Sequence, residues 1–366
     1  MTLNSGLLAA MAFAVSAGLV PALRGPALRF GLVDRPCHRK RHDGTVPLTG
    51  GLAMFLAFLA ALLLGVGHLD NHAGLLLGMT ILLVAGVVDD LVDLRALFKL
   101  LIQVTVATFV VVSTDLQIHH LGPLLGSSVG NIGLGPMSVP FTVACFVFMI
   151  NVVNMADGVD GLAGGLGVIM LSLLALAGWL GGAPTSLIGL SLILATAAAG
   201  FLLWNMRFPF RNKAAAFMGD AGSMMLGFAI AWMAIATATH PSSSIYPITI
   251  AWVLLIPCMD TLAVSVRRIS QGRSPMAADR AHLHHIFQRC HFSVTATVAM
   301  IHGLTLGTGL LGILGWWLGL PPWLLFVLAA MAIVGYTLLL MSAHRLIRWR
   351  TRRLRYSTPT LKRLNR

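Results

Sequence analysis

The segment 81–99, ILLVAGVVDDLVDLRALFK, runs from an apolar stretch straight into Asp89, Asp90 and Asp93. On a helix Asp89 and Asp93 share a face, and Asp90 reaches Asp93 at i+3. Like charges so placed repel, so something positive must offset them; the nearest basic residues are Arg95 and Lys99. A second group, NMADGVDGLAGG at 154–165, offers Asn154, Asp157 and Asp160. The i, i+3 spacing aims both carboxylates the same way in a helical turn, although its glycines also suit tight helix packing. Gly165 and Gly167 form only a G-x-G with no strand before it, too little for a dinucleotide site. A third, FMGDAGSMMLG at 217–227, sets Asp220 between Gly219 and Gly222 ahead of a new apolar run, with Ser223 placed to cap a helix. Free N–H groups at such a helix start favour phosphate, though Gly-Asp-x-Gly is also simply a turn. A fourth, DRAHLHHIF at 279–287, gathers Arg280, His282, His284 and His285. Zinc is the rival there, with Cys290 and His291 nearby, but no spaced Cys/His pair completes a tetrahedron. Histidines among arginines more often bind anions. The stretch 32–51, LVDRPCHRKRHDGTVPLTGG, holds Asp34, Asp43 and four basic residues, and reads equally as a solvated loop. Together these are carboxylate oxygens for a hard divalent cation such as Mg2+, basic groups for phosphates, and glycine-rich helix starts. Such equipment transfers phosphoryl groups by positioning and charge neutralisation.

The elements that must position these groups are membrane helices. Of 366 residues 57% are hydrophobic and 10% are charged, and the mean hydropathy is +0.86. A soluble domain carries about 25% charged residues. All 12 acidic residues are Asp. The four cysteines lie far apart without a CxxC, which suggests neither a disulfide framework nor a zinc ribbon. The 25 basic residues fall in five clusters: Arg24 to Arg41, Arg95 with Lys99, Arg207 to Lys213, Arg267 to Arg289, and Arg345 to Arg366. The positive-inside rule places each cluster in the cytoplasm, so each intervening stretch holds an even number of spans of about 20 residues. Stretches 42–94, 214–266 and 290–344 fit two each. Stretch 100–206 fits four, near 100–114, 137–153, 161–180 and 186–204. With a first helix lacking a basic n-region, the expectation is an all-α polytopic bundle of about eleven spans, N-terminus outside and C-terminus cytoplasmic. Residues 1–344 then form a single membrane catalytic domain, and 345–366 a basic cytoplasmic tail resting on anionic membrane lipids. The net charge of +13 does not by itself call for nucleic acid.

Parity puts ten aspartates at one membrane face and only Asp70 and Asp115 at the other. Helix capping explains two or three of these, not the asymmetry. An ion-coupled transporter is the rival from another class, because intramembrane carboxylates also serve as relays. A relay would place aspartates mid-span, and there is no inverted repeat. A non-catalytic lipid binder needs cations, not carboxylates.

In order along the chain, GLVDRPCHRKRHDGTVPLTGG, GVVDDLVDLRALFKLLIQ, NVVNMADGVDGL, NKAAAFMGDAGS and DRAHLHHIF resemble the motifs of the polyprenyl-phosphate N-acetylhexosamine-1-phosphate transferases. The likeness spans roughly residues 30–290 and is nearest to the bacterial branch that loads N-acetylglucosamine-1-phosphate onto undecaprenyl phosphate. It implies a reaction of UDP-N-acetylglucosamine with undecaprenyl phosphate, dependent on Mg2+ or Mn2+. UMP would leave, and the product would start a cell-envelope polysaccharide of O-antigen type. It further implies a multi-pass protein of the cytoplasmic (inner) membrane with its site facing the cytoplasm, and allows a homodimer. By the same resemblance Asp220 holds the metal with Asn154 beside it. Asp89 and Asp90 form the acidic pair at the lipid phosphate, and Lys99 meets that phosphate. Asp157 and Asp160 belong to the nucleotide-sugar site, Asp157 counting with Asp89 and Asp90 as catalytic. His282, His284 and His285 with Arg280 grip the sugar-diphosphate end, and Asp34 and Lys213 join the substrate-binding set. Sister enzymes that move phospho-muramoyl-pentapeptide carry three consecutive histidines; HLHH here favours a simpler sugar, another UDP-N-acetylhexosamine being the alternative. Direct attack by the lipid phosphate and a two-step route through an aspartyl intermediate both stay open.

Overall fold

The structure is a computed structural model and describes residues 3–34, 44–65, 72–126, 128–274 and 281–342. Arg280, Asp43, Asp70, Asp279 and the basic tail lie outside the described residues. The chain forms α1 (Leu3–Ala22), α2 (Arg24–Phe30), β1 (Val33–Asp34), β2 (Val46–Pro47), α3 (Gly50–Gly65), α4 (Ala73–Val92) and α5 (Ala96–Thr114). It continues with α6 (Ser138–Ala156), α7 (Leu162–Gly181), α8 (Thr185–Asn205), α9 (Gly219–Thr239), α10 (Pro247–Val253) and α11 (Leu255–Ser270). It ends with α12 (Leu283–Arg289), α13 (Val294–Trp317) and α14 (Pro322–Met341). The expected all-α bundle is therefore present, and the two-residue ladder β1–β2 is its single sheet among the described residues.

Among the described residues, nine helices are long and apolar enough to cross a bilayer. Two further apolar units stand where the remaining expected spans fall, and taking the bent one as a single span makes ten against the eleven expected. One is α3, with 16 residues. The other is the pair α10–α11, bent by 81°. The bend has a local cause. Pro257 has no N–H to offer the carbonyl of Val253, four residues back, so the ladder breaks there and the helix restarts at Leu255. The four spans expected in 100–206 are α5 to α8. The short surface helices α2 and α12 have no counterpart among the expected elements.

Helix ends follow ordinary stop signals. α7 begins after Gly161 (φ 83°) and stops at Gly182 (φ 78°), both left-handed and free of a Cβ penalty. α4 stops at Asp93, also left-handed, whose N–H bonds the carbonyl of Asp89. Ser293 caps α13 through the N–H of Ala296.

The bundle is organised around α9, buried along most of its length and packed against α3, α4, α6 and α7. Its first turn meets its neighbours backbone to backbone. A Cβ built on Gly86 of α4 would lie 2.2 Å from Ala221 Cα, and one on Gly51 of α3 2.5 Å from Gly222 Cα. No side chain fits at either place, so the glycines bring the end of α4 against the start of α9. The ends of α4, α6 and α8 and the starts of α5, α7 and α9 thereby share one face of the bundle. Asp115 closes the opposite end of α5.

Candidate active site

Four helices deliver the central polar network. Asp89, one turn after Gly86, is buried; its Oδ2 lies 2.8 Å from Lys99 Nζ of α5, and its Oδ1 accepts the N–H of Leu94 at 2.7 Å. Lys99 Nζ also reaches Asp220 Oδ2 at 3.0 Å. Asn154, near the end of α6, donates to Asp220 Oδ1 at 2.8 Å and to Ser223 Oγ at 2.9 Å. One ammonium thus bridges two carboxylates from different helices, which answers the repulsion among the aspartates. The Lys99 side chain is 24% exposed and that of Asp220 32%, so this network opens to solvent.

Asp90 takes a different part. Its carboxylate accepts the N–H groups of Asp220 at 2.9 Å and Ala221 at 3.2 Å, and so caps α9 from another helix. The start of α9, read from sequence as a free phosphate cradle, is filled by this carboxylate. Gly219 makes room: its φ is 73°, and a Cβ there would lie 2.5 Å from Asp90 Oδ2. Ser223 does not cap α9; its hydroxyl receives Asn154 and points to the Asp220 carbonyl at 3.4 Å.

Asp157 follows α6 as its C-cap, its N–H on the carbonyls of Val153 and Asn154. Asp160 pairs with Arg207 at 2.8 Å and accepts the N–H of Ala214 at 3.2 Å, tying the 157–160 turn to the loop that carries Lys213. Lys213 is exposed on that loop. Asp34 sits on β1 opposite Val46, joined to the same face through Gly50 N–H on the carbonyl of Phe217.

The histidine segment meets the 157–160 turn directly, since a Cβ on Gly158 would lie 3.2 Å from His284 Nε2. Its three imidazoles differ. His282 is buried, with Nδ1 2.8 Å from Asp260 Oδ2. His284 is buried too, its ring 5.8 Å from that of His282 and 4.2 Å from that of His285. Burial first, then the neighbouring imidazoles of His285 and His282, push His284 down to about 3. It is therefore a neutral hydrogen-bonding group at physiological pH. His285 alone of the three is partly exposed.

Sequence reasoning counts Asp260 only by its side of the membrane and passes over Tyr336 and Gln103. Gln103 Oε1 accepts Asn151 Nδ2 at 2.7 Å one turn from the network. A carboxylate inside an apolar helix is the available signal for Asp260; a tyrosine in α14 gives none.

Among the described residues no group of three or more His, Cys, Asp or Glu side chains is arranged to hold a metal. His282 instead gives Nδ1 to Asp260 and lies 3.5 Å from Arg268 by Nε2. The donor set does suit Mg2+, which binds through one or two carboxylates and takes its other oxygens from substrate phosphates and water. Asp220, half open and flanked by Asn154 and Asp89, supplies such carboxylates.

Carboxylates, a bridging lysine and a histidine segment thus meet at one face of a polytopic helical bundle. Residues 72–238 match glycosyl transferase family 4. The chain is 32% identical over 352 residues to the undecaprenyl-phosphate alpha-N-acetylglucosaminyl 1-phosphate transferase of Escherichia coli (strain K12), covering 92% of this chain and 93% of that protein. It is 31% identical over 332 residues to the protein of the same name from Haemophilus influenzae, at 91% and 92% coverage. The chain belongs to this family of membrane phosphotransferases, within glycosyl transferase family 4. The transporter reading falls with that membership.

Proposed function

We propose that the chain transfers N-acetylglucosamine-1-phosphate from UDP-N-acetylglucosamine to undecaprenyl phosphate, giving undecaprenyl-diphosphate-N-acetylglucosamine and UMP. The observation that carries the reading is the Asp89–Lys99–Asp220–Asn154 network, with an apolar groove beside it. The groove, about 430 Å3, runs between α5, α6 and α11 past Leu100, Val104, Val147 and Phe148. Asn151 lines the groove and donates to Gln103, one turn from Lys99, so the groove and the network are neighbours on α5 and α6.

An oxygen of the lipid phosphate attacks the β-phosphorus of the nucleotide sugar, and the bond to UMP breaks with its electron pair on the departing phosphate. A phosphate monoester has its second pKa near 6 and is mostly dianionic at pH 7, so the attack needs orientation more than a base. Asp89 then acts by holding Lys99, and Lys99 by holding the lipid phosphate. Asp90 keeps the start of α9, and with it Asp220, in place. Mg2+ or Mn2+, held by Asp220 with Asn154 beside it, would neutralise diphosphate charge. Asp157, Asp160, Lys213 and the histidine segment bind the nucleotide sugar, His285 being the exposed member. The basic residues of the 207–213 loop share this face, which supports a cytoplasmic site in the inner membrane.

The test is purified protein with undecaprenyl phosphate and radiolabelled UDP-N-acetylglucosamine, followed as label entering butanol. Label entering butanol only from UDP-N-acetylgalactosamine would move the reading to the other donor. No transfer from either would sink it.

A further inference from the structure

Asp260, in the middle of α11, collects three donors from two other elements. They are His282 Nδ1 at 2.8 Å, the N–H of Leu283 at 2.9 Å, and Tyr336 Oη of α14 at 2.5 Å. On the far side of His282, Arg268 Nη2 lies 3.5 Å from Nε2. A guanidinium only donates, so Nε2 presents its lone pair to Arg268 and Nδ1 carries the hydrogen given to Asp260. The imidazole is thereby fixed in tautomer, tilt and depth from both sides. His282 is the N-cap residue of α12, and Leu283 opens that helix, so Asp260 grips the hinge on which His284 and His285 turn. The stacked His282 and His284 rings, 6° from parallel, carry that orientation onward.

We propose that Tyr336 of the last membrane helix is a positioning residue for the transfer reaction, acting through Asp260 and His282 on the histidines that face the nucleotide sugar. The proposal rests on the transfer reading above. The lever is a single hydroxyl. Without it Asp260 keeps two donors, and its carboxylate is free to swing about the bond that orients His282. Tyr336 touches no substrate group in this scheme, so its effect passes wholly through the imidazole. That makes the inference testable by a cycle, because a path through His282 closes when His282 is gone.

The measurement is kcat/KM for UDP-N-acetylglucosamine, with undecaprenyl phosphate saturating, in wild type, Tyr336→Phe, His282→Ala and the double variant. Loss of a hydrogen bond to a charged group predicts about a tenfold fall for Tyr336→Phe, carried mainly by KM. In the His282→Ala background the same substitution should cost less than about twofold. Equal losses in both backgrounds, or none in either, would overturn the proposal, since a purely structural tyrosine is indifferent to His282. Binding of UDP to the same four proteins, followed by calorimetry, repeats the cycle without turnover. A failed transfer assay then counts against the reaction, and an additive binding cycle against the tyrosine. Should Tyr336→Phe not accumulate, Tyr336→Leu, which also removes the hydroxyl from an apolar helix, takes its place in the cycle: a loss that shrinks without His282 supports the proposal, and an equal loss overturns it.

Discussion

Two clusters of charge lie at the polar face, and they are built on opposite lines. The Asp89–Lys99–Asp220 network is partly open, and its ammonium is shared between two carboxylates. The Asp260 socket has no shared cation: three donors converge on one carboxylate, whose side chain is 14% exposed. An ammonium that is 24% exposed and shared between two carboxylates can give up its contact with the more open Asp220 to a phosphate while keeping Asp89. Donors gathered on one mostly covered carboxylate are left unsatisfied when it goes, at about 1–3 kcal/mol each. The first cluster is arranged to be rearranged by substrates, the second to hold still.

Substitution should separate them. The largest effect is expected for Asp220→Asn, which removes a charged oxygen ligand of a hard cation: kcat should fall at least about a hundredfold while the melting temperature in detergent stays near wild type. Full wild-type activity in excess EDTA would take the metal out of the mechanism. Asp260→Ala should do the reverse to stability, costing about 1–3 kcal/mol or more because His282, Leu283 and Tyr336 lose their acceptor. Thermal unfolding of the two variants side by side checks the contrast; equal melting temperatures would dissolve it.

His285→Ala should raise KM for the nucleotide sugar about tenfold with kcat little changed, if the exposed imidazole meets the diphosphate equally in ground and transition states. An effect on kcat alone would move His285 from binding to chemistry.

A further expected effect is on pH. His284 is held down to about 3 in the folded chain, against about 6.5 in an unfolded one. The unfolded state therefore binds the extra proton between these values, and stability falls as pH drops through 6.5, by up to about 1.4 kcal/mol per pH unit. His284→Gln should flatten that part of the profile. An unchanged slope would place the titrating group elsewhere.

Much of this is legible in the sequence. Basic clusters and parity locate α4 to α9, because lipid forces each apolar run to span or return. The carboxylate motifs are legible because charge beside an oily run has few other reasons to exist. Two kinds of fact are not. The division of labour between Asp89 and Asp90, adjacent in sequence, depends on which one meets the N–H groups of Ala221 and Asp220, and so on the backbone contact at Gly86. Periodicity carries no information about that register. Nor can Tyr336 be found, since its partner lies 76 residues away and one hydroxyl in an apolar helix leaves no pattern.

The contact of α1 with α8 has a consequence in time. Trp204 Nε1 donates to the carbonyl of Ala17 at 2.8 Å, across 187 residues of chain. At about 5–20 residues per second of synthesis, those 187 residues take roughly 10–40 s to make. For that interval the first helix stands in the membrane with α3 beside it and its face for α8 turned to lipid. In water an uncovered apolar face would invite aggregation. In a bilayer it is solvated as well by acyl chains as by leucines, so the wait costs almost nothing. The order in which the helices are made is therefore free to differ from the order in which they pack.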